Sequence, residues 1–462
     1  MNSSAELQIF DPSTLEPLPA VRAATPDDVE AAVHRSVAAL TGPWRSDHRQ
    51  RATVLHRWAD LIEADRDGLI DDLVTQTGKP VAEAAAEVAG AVDALRFNAG
   101  LARLPLGRAA SLYDGSEAHL VREPVGPTVF IAPWNWPVLL LLRDLAPAFA
   151  AGVTALVKPA PQTTRVTDRV VALGHRAGVP DDALITVAGG ADVGSALVRH
   201  PGTRAVAITG STAAGQAVLR DAAETMTRPL LELGGKSTML VLPDADAPAA
   251  FAAAASAAVV TSGQMCMACT RVLVPESMAA QAEQELGDLL REKNPGDPRG
   301  ERTSLGPMIS ADAMTKVSGY VDLARRSARV VTGGEQVHPD GLAGHFLTPA
   351  LVTDVDTGSP LVQDDIFGPL LTLEIYDGED HGVALVNATP FGLAAAVWTQ
   401  DLSRGLSLAR QVDAGTVWVN GYNHSYAEMP SGGVRMSGLG RTRGIEGVEQ
   451  FTELKHVHFS LR

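Results

Sequence analysis

The spacing of apolar residues along the chain predicts where helices give way to strands. In the first hundred residues apolar positions recur every three or four residues, which is typical of helices. One helix is predicted to begin after Thr25, which can cap it, with Pro26 in its first turn, and to end near Leu40. Two more are predicted over 54–62 and 80–97. We therefore expect the first hundred residues to be helical.

Beyond residue 108 the apolar period shortens to two. Alternation around Asp114 and Gly115 predicts a β-hairpin. Short apolar strands then alternate with helical stretches, and this pattern predicts an α/β fold with a parallel sheet covered by helices on both faces. The predicted strands of this series are 126–132, 153–159, 183–189, 203–210 and 238–244.

A second series of strands and helices is predicted over 270–421, and the C-terminal tail reads as one more strand. Val457, Phe459 and Leu461 fall on one face of that strand. The sequence has no internal repeat and no low-complexity linker, so the domains are expected to be interleaved or tightly packed.

Composition narrows the class of partner. The formal net charge is −16, the pI is about 5.2 and 5% of the residues are aromatic, which argues against nucleic acid or an anionic membrane as a partner. The N-terminus has no signal-peptide pattern, and the Ala-rich apolar runs are too short to cross a bilayer. Two cysteines cannot form a disulfide framework, so a reducing, cytoplasmic setting is expected.

Both cysteines, Cys266 and Cys269, lie in the segment TSGQMCMACT. A metal site is not expected, because neither a second cysteine pair nor a pair of nearby histidines is present. Two buried small residues in an apolar helix remain an alternative to a reactive thiol. Gly263 favours the reactive thiol, because a glycine at this place suggests close approach of another backbone segment.

Two other segments have the properties of binding loops. In AITGSTAAG a strand runs into a helix, so the backbone amides near Ser211 and Thr212 can face an anion. In FIAPWNWPVLL two prolines bracket Asn135 after a strand, where its amide can donate to a developing oxyanion. For each segment an ordinary structural junction is the competing interpretation.

Taken together, the motifs resemble the NAD(P)-dependent aldehyde dehydrogenase superfamily. The resemblance covers roughly residues 10–460, with the motifs in the family's order. These motifs are PWNWP, VKPA, TGSTAAG, LELGGKS, SGQMCMA, DDIFGP, FGLAAAVWTQD and PSGGVRMSGLGR.

The resemblance implies a catalytic site built from three side chains. Cys266 would attack the aldehyde carbonyl, and the Asn135 amide with the Cys266 backbone N–H would hold the oxyanion. Hydride loss to the cofactor would leave a thioester, which Glu232 would hydrolyse by activating water. Cys269 has no role in this scheme and is expected to pack, although a reversible bond to Cys266 is conceivable.

The resemblance also implies a cofactor site for NAD or NADP. Lys158 would reach the adenosine ribose, and Gly210 and Ser211 would meet the pyrophosphate. The nicotinamide end would be lined by Trp134 and Phe367, with Asp365 on its ribose. Pro161 stands where NAD-preferring members have a glutamate, so we expect NADP to be accepted at least as well as NAD.

The same resemblance implies a division into three parts. An NAD(P)-binding domain would comprise 1–104 and 126–235, and a catalytic domain 236–430. An oligomerisation arm would comprise 105–125 and 445–462 and join subunits into a homodimer or homotetramer. The usual additional N-terminal strand segment of the family is expected to be missing.

The substrate is expected to be a small aldehyde of unresolved type. Trp136 and Ser431 would line its site, with Ser431 replacing a frequent phenylalanine. RDLAPA, with Arg143 and Asp144 in place of an aromatic residue and a lysine, is similar to aromatic-aldehyde members, whereas Glu428 beside the substrate loop is similar to aminoaldehyde members. A non-catalytic relative of the same fold is the alternative function. A CoA-acylating enzyme is disfavoured, because such enzymes typically lack the glutamate base.

Overall fold

The computed structural model describes residues 6–104 and 107–460. The strands of this part of the chain are β1 (Glu6–Phe10), β2 (Pro17–Arg22), β3 (Arg108–Ser111), β4 (Glu117–Pro124), β5 (Thr128–Ile131), β6 (Ala155–Lys158), β7 (Leu184–Thr186), β8 (Ala205–Thr209), β9 (Arg228–Glu232), β10 (Thr238–Val241), β11 (Arg271–Pro275), β12 (Arg329–Thr332), β13 (Gln336–Val337), β14 (Phe346–Leu347), β15 (Ala350–Thr353), β16 (Leu370–Tyr376), β17 (Phe391–Gly392), β18 (Ala394–Trp398), β19 (Thr416–Val419), β20 (Val434–Arg435), β21 (Gly438–Leu439) and β22 (Thr452–Phe459).

The α-helices of the same part are α1 (Pro26–Ala39), α2 (Pro43–Ser46), α3 (His48–Ala64), α4 (Arg66–Thr77), α5 (Val81–Leu101), α6 (Pro137–Ala151), α7 (Thr164–Ala177), α8 (Ala191–Arg199), α9 (Thr212–Thr225), α10 (Ala247–Val259), α11 (Ala279–Arg291), α12 (Ala311–Ser327), α13 (Pro360–Gln363), α14 (Glu379–Val386), α15 (Leu402–Ala409) and α16 (Gly444–Gln450). Short 3₁₀ turns follow β6, α10, β11 and β13.

The first large sheet has six strands in the order β21-β9-β8-β5-β6-β7. Strands β5 to β9 are all parallel to one another. The remaining edge strand, β21, pairs antiparallel with β9. Within this sheet the chain enters at the central strand β5 and continues to one side through β6 and β7. It then crosses back to the other side of β5, where it forms β8 and β9. The loops after β5 and β8 therefore flank the switch point of a doubly wound sheet, where such folds bind ligands.

The second large sheet has seven strands in the order β12-β15-β16-β11-β10-β18-β19. All neighbours are parallel except β12, which runs antiparallel to β15. Helices α10 and α11 pack against it through an Ala-rich apolar cluster that includes Phe251 and Leu286. Both sheets with their helices confirm the predicted α/β class.

A third sheet is antiparallel and lies outside the two large ones. The hairpin β3–β4 turns at Asp114 and Gly115 as predicted, and β22 pairs with β4 along eight residues. Leu454 and Phe459 on β22 are 52% and 42% exposed. The third predicted residue of the tail's apolar face, Leu461, lies outside the described residues, as do 105–106 of the predicted arm.

The first hundred residues are not all helical, so that expectation was wrong. The Thr25 capping box and α1 occur where the sequence predicts them, and α3 and α5 contain the other two predicted helices. Before α1, however, β1 and β2 form an antiparallel pair with Ile9 and Val21 buried. The alternation of apolar and polar residues that predicts a strand is weak here, because β2 contains prolines and most residues of both strands are exposed. Among the described residues, no helix is long and apolar enough to cross a membrane.

Candidate active site

The site lies where the carboxyl edge of the six-stranded sheet faces the amino edge of the seven-stranded sheet. The loop after β5 carries Asn135, and the loop before β11 carries Cys266. The two loops are in direct contact, since the Asn135 side-chain amide donates to the main-chain oxygen of Gln264 at 2.9 Å. This hydrogen bond holds the buried Asn135 side chain against the backbone of Gln264, which lies two residues before Cys266.

The backbone that leads to Cys266 is unusual. Thr261 and Ser262 both have positive φ angles, 49° and 56°, and positive φ is costly for a β-branched residue such as Thr261. Gly263 follows with φ 72°, and a Cβ atom there would lie 2.3 Å from the carbonyl carbon of Gly368. The close backbone approach that Gly263 indicated is present.

Cys266 and Asn135 line two different cavities. The first has a volume of about 310 Å³. Its lining includes the predicted cofactor residues Trp134, Gly210, Ser211, Asp365 and Phe367. The second has a volume of about 340 Å³. Its lining includes the predicted substrate residues Trp136 and Ser431 together with Glu232, Arg143 and Arg443. Cys266 thus borders both cavities.

Glu232 is a buried carboxyl group without a full set of hydrogen bonds. It ends β9, and its Oε1 has no hydrogen-bond partner among the described residues. Burial raises its pKa to about 7, and the positive charge of Arg143 acts against that shift. The group is therefore poised to exchange a proton near neutral pH.

The two cysteines have different surroundings. Cys266 is half-buried between the cavities, while Cys269 is fully buried in the apolar cluster beneath the seven-stranded sheet, and both are free. Burial raises the pKa of Cys266 to about 11, which the Arg143 charge opposes and the Glu232 charge reinforces. Burial likewise raises the pKa of Cys269 to about 12. Cys269 packs, as expected from the sequence.

Arg143 and Asp144 form a buried ion pair behind the thiol. The guanidinium donates to both Asp144 carboxylate oxygens at 2.9 and 3.0 Å, and to the hydroxyl of Thr209 at 2.7 Å. Thr209 lines the first cavity. The pair therefore links the two cavities.

The first cavity fits the nicotinamide half of a dinucleotide. Ser211 caps α9, a helix of 14 residues, and its hydroxyl accepts from the Ala214 N–H at 3.2 Å. Trp134 and Phe367 meet edge-on with ring centroids 5.7 Å apart. Burial raises the pKa of Asp365 to about 6. A polar helix terminus and an aromatic end, both facing one cavity, suit a pyrophosphate and a flat ring.

Lys158 and Pro161 lie beyond this cavity, at the end of β6 and in the turn after it. Lys158 donates to the Gly189 main-chain oxygen at 3.0 Å. Burial lowers the pKa of Lys158, and the carboxylate of Asp192 opposes this shift. The position opposite Lys158 thus has an acid that the sequence did not indicate.

Glu428 is exposed and does not line the second cavity, unlike Trp136 and Ser431. Ser431 is fixed by its backbone, which exchanges two hydrogen bonds of 2.8 Å with Thr442. Glu428 therefore adds no charge to the wall around the thiol.

A cluster of charged residues near the start of α5, missed in the sequence, holds both loops of the site. Lys79 pairs with Glu87, and both side chains are fully buried. The Glu87 Oε1 accepts from the N–H groups of Val138 and Leu139 at 2.7 and 3.2 Å, which caps the first turn of α6 directly after the Asn135 loop. The Lys79 ammonium lies 4.1 Å from the centre of the Trp136 ring.

The neighbouring acid Glu83 holds the cysteine loop in the same way. It accepts from the backbone N–H and the hydroxyl of Thr261, each at 3.0 Å. Burial raises the pKa of Glu83. Glu83 and Glu87 are four residues apart and are the only charged residues of α5 before Asp93, and this pair of acids in an Ala-rich stretch was the available signal.

Comparison with known proteins identifies the family to which the chain is similar. The profile of the aldehyde dehydrogenase family matches residues 1–457. A betaine aldehyde dehydrogenase from Staphylococcus aureus, solved in complex with NAD+, superposes with a TM-score of 0.96 at 31% identity, over 98% of this chain and 91% of that one. An NAD-dependent aldehyde dehydrogenase from Sinorhizobium meliloti gives a TM-score of 0.96 at 34% identity, over 99% of this chain and 92% of that one.

A free cysteine thus lies between two cavities, one of which borders the switch point of a doubly wound sheet. The chain belongs to the aldehyde dehydrogenase family. It is an NAD(P)-dependent enzyme that oxidises an aldehyde to its carboxylic acid.

The cluster of Lys79 and Glu87 gives a testable prediction. Lys79→Met leaves the Glu87 charge buried and unpaired, and we expect it to lower the free energy of unfolding by roughly 3–5 kcal/mol. The double variant Lys79→Met/Glu87→Gln removes both charges and is expected to recover most of that loss. Its kcat should still fall roughly tenfold to a hundredfold, because the Asn135 loop loses its charged cap and the cation beneath Trp136.

Thermal unfolding and steady-state kinetics check this prediction. Cofactor affinity from fluorescence titration shows whether the first cavity, which Trp134 and Asn135 of the same loop line, is also disturbed. A stable double variant with wild-type kcat would show that the cluster does not position the loop.

Proposed function

We propose that Cys266, Asn135 and Glu232 carry out the oxidation as a thiol-dependent reaction with cofactor and aldehyde entering from opposite sides. The observation that carries this proposal is that Cys266 and Asn135 line both cavities, while Glu232 lines only the second. A hydride acceptor can thus approach the thiol from one side while water and the carboxylate act from the other.

In the first step the Cys266 thiol loses its proton to water in the cavity, and the resulting thiolate attacks the carbonyl carbon and forms a thiohemiacetal. The Asn135 amide and the Cys266 N–H, which donates no backbone hydrogen bond to another described residue, are the donors for the oxyanion. The Arg143 charge favours the thiolate over the thiol. When bound, the nicotinamide supplies the hydride acceptor.

Loss of a hydride from the thiohemiacetal leaves a thioester on Cys266, which water hydrolyses in the second step. Glu232 takes the proton of the attacking water, the carbon–sulfur bond breaks, and the acid leaves as the thiolate is restored. A pKa of about 7 gives Glu232 a substantial ionised fraction at neutral pH. Its unpartnered Oε1 is free to accept from that water.

Cys266→Ala is expected to abolish aldehyde oxidation while the cofactor still binds. Cys269→Ala serves as the matched control and should retain most of the activity, because its thiol lies in the apolar core. The measurement is NAD(P)H formation at 340 nm with a panel of aldehydes. An active Cys266→Ala variant together with an inactive Cys269→Ala variant would reverse the assignment.

Glu232→Gln is expected to slow hydrolysis more than hydride transfer. Rapid mixing should give a burst of NAD(P)H followed by a slow steady state. In the wild type the hydrolysis rate should rise with pH through about 7, because only the ionised carboxylate accepts the proton, and the variant should lack this rise. Neither burst nor turnover in a folded variant would place Glu232 in an earlier step.

We propose that NADP is accepted with an efficiency comparable to that of NAD or better. Pro161 offers neither a carboxylate to bind the 2′-hydroxyl nor a charge to repel a 2′-phosphate. Lys158 beside it provides a cation that suits a phosphate. Asp192, whose charge acts on Lys158, is the remaining acid that favours NAD.

Two substitutions should therefore shift the cofactor preference in opposite directions. Pro161→Glu is expected to move the ratio of kcat/KM values toward NAD by roughly 1–3 kcal/mol, or about five- to 150-fold. Asp192→Asn is expected to move it toward NADP. A wild-type preference for NAD of about a hundredfold or more would contradict the proposal.

We propose a homodimer or homotetramer joined through the arm that comprises 105–125 and 445–462. In the described part of this arm β3 and β22 are the edge strands of a three-stranded sheet, and exposed edges are normally paired or covered. Leu454 and Phe459 add apolar surface to β22. We also propose an NAD(P)-binding domain (1–104 and 126–235) and a catalytic domain (236–430). The parallel strands β5 to β9 of the six-stranded sheet fall in the first, and every strand of the seven-stranded sheet falls in the second, which supports this division.

Light scattering is expected to give the mass of a dimer or tetramer at micromolar concentration. Leu454→Asp/Phe459→Asp should shift that mass toward the monomer, because the edge then carries two charges. Tyr113→Asp at the exposed hairpin turn is a control for added charge. A monomeric wild type would contradict the proposed arm.

We also place the enzyme in a reducing compartment, the cytoplasm. Both cysteines are free, and the proposed chemistry requires Cys266 as a thiol.

A further inference from the structure

Arg443 is the most unusual residue of the second cavity. Its side chain lines the cavity that contains Cys266 and Glu232. Its guanidinium makes no hydrogen bond and no ion pair of 4.0 Å or less with any residue in the described ranges. A half-buried guanidinium that borders a cavity and has no protein acceptor leaves its five N–H donors free for water or for a ligand.

The backbone of Arg443 is also costly. Its φ and ψ angles are 62° and 178°, a region that essentially only glycine occupies without strain. The flanking residues fix it there, since Thr442 pairs with Ser431 and the Gly444 N–H donates to Ala427 at 2.9 Å. An arginine kept where glycine would be cheaper indicates that its side chain is needed.

The carboxylates of Asp144, Asp93 and Glu232 act on the charge of Arg443, but none of them forms an ion pair with it. The other arginine of the cavity, Arg143, is already paired with Asp144 and Thr209. The carboxylate of Asp93 faces the same cavity from α5 but is exposed and lies beyond ion-pair distance of Arg443. Burial lowers the pKa of Arg443 to about 10, which reports incomplete compensation of its charge.

We propose that Arg443 binds a carboxylate of the aldehyde substrate, so that the enzyme acts on aldehydes that carry an acid group at the end away from the carbonyl. This inference rests on the proposed function of Cys266. The hydroxyl of Ser431 and the amide of Asn423 line the same cavity and add donors for such a group. A cationic aldehyde such as betaine aldehyde is disfavoured, because its charge would face Arg443.

The test compares aldehydes that differ only in charge. 4-Carboxybenzaldehyde is paired with 4-carbamoylbenzaldehyde, and 4-oxobutanoate with 4-oxobutanamide, and the readout is the ratio of kcat/KM values within each pair. We expect the wild type to prefer the carboxylate by at least roughly tenfold in one pair or both.

Three variants define the origin of that preference. Arg443→Gln is expected to remove it, and Arg443→Lys to restore part of it. Asp93→Asn should increase it, because one repelling carboxylate leaves the cavity. Arg441→Gln is the matched control, since Arg441 lies two residues away but donates to the main-chain oxygens of Gly433 and Gly440, and its ratio should stay close to that of the wild type.

The possible failures are distinguishable. Oxidation of both members of each pair without a preference, or a preference that survives Arg443→Gln, overturns the role of Arg443 alone. Absence of oxidation for every aldehyde, with no acylation of Cys266, overturns the proposed function itself.

Discussion

The buried ion pair of Lys79 and Glu87 is the interaction on which the geometry of the site depends. A salt bridge inside a protein offsets its desolvation only when the remaining hydrogen-bonding capacity is also used. Glu87 accepts hydrogen bonds from the first turn of α6, and the Lys79 ammonium makes a cation–π contact with the Trp136 ring. With Glu83 on Thr261, one short stretch of chain fixes two loops that come from different sheets. Helix α5 thus contacts the Asn135 loop through Glu87 and the Cys266 loop through Glu83.

Burial and charge together set the chemistry of the thiol. Desolvation alone raises the pKa of Cys266 and of Glu232 and would leave both protonated. Arg143 acts on both groups and opposes both shifts, while its own charge is held by Asp144. The charges of Arg143 and Arg443 offset part of the effect of burial on Glu232, and the charge of Arg143 does so on Cys266. The pKa of the thiol still stays above its ordinary value, so an attacking thiolate arises by loss of the thiol proton.

The strand-and-helix alternation predicted the class of fold, because parallel strands buried on both faces leave continuous apolar runs. Local pattern singled out Cys266 and Asn135 as candidates, but Glu232 and the assembly of the three side chains around one cavity were predictable only through motif resemblance. The pair β1–β2 was missed because it buries little more than Ile9 and Val21. The cluster of Lys79, Glu83 and Glu87 was missed because its partners lie about 50 to 180 positions away in the chain. Such contacts follow from packing and not from local pattern.

The central claim is that the aldehyde carbon becomes bonded to Cys266 and to no other residue. Peptide mass spectrometry of the Glu232→Gln variant, quenched in acid after mixing with NAD(P) and an aldehyde, tests it most directly. The peptide that contains both cysteines is expected to gain the mass of the acyl group, with fragment ions that assign it to Cys266. The adduct should be absent without cofactor, because the thiohemiacetal reverts on quenching. An adduct on Cys269, or turnover of the wild type with no acylated cysteine under any trapping condition, would contradict it.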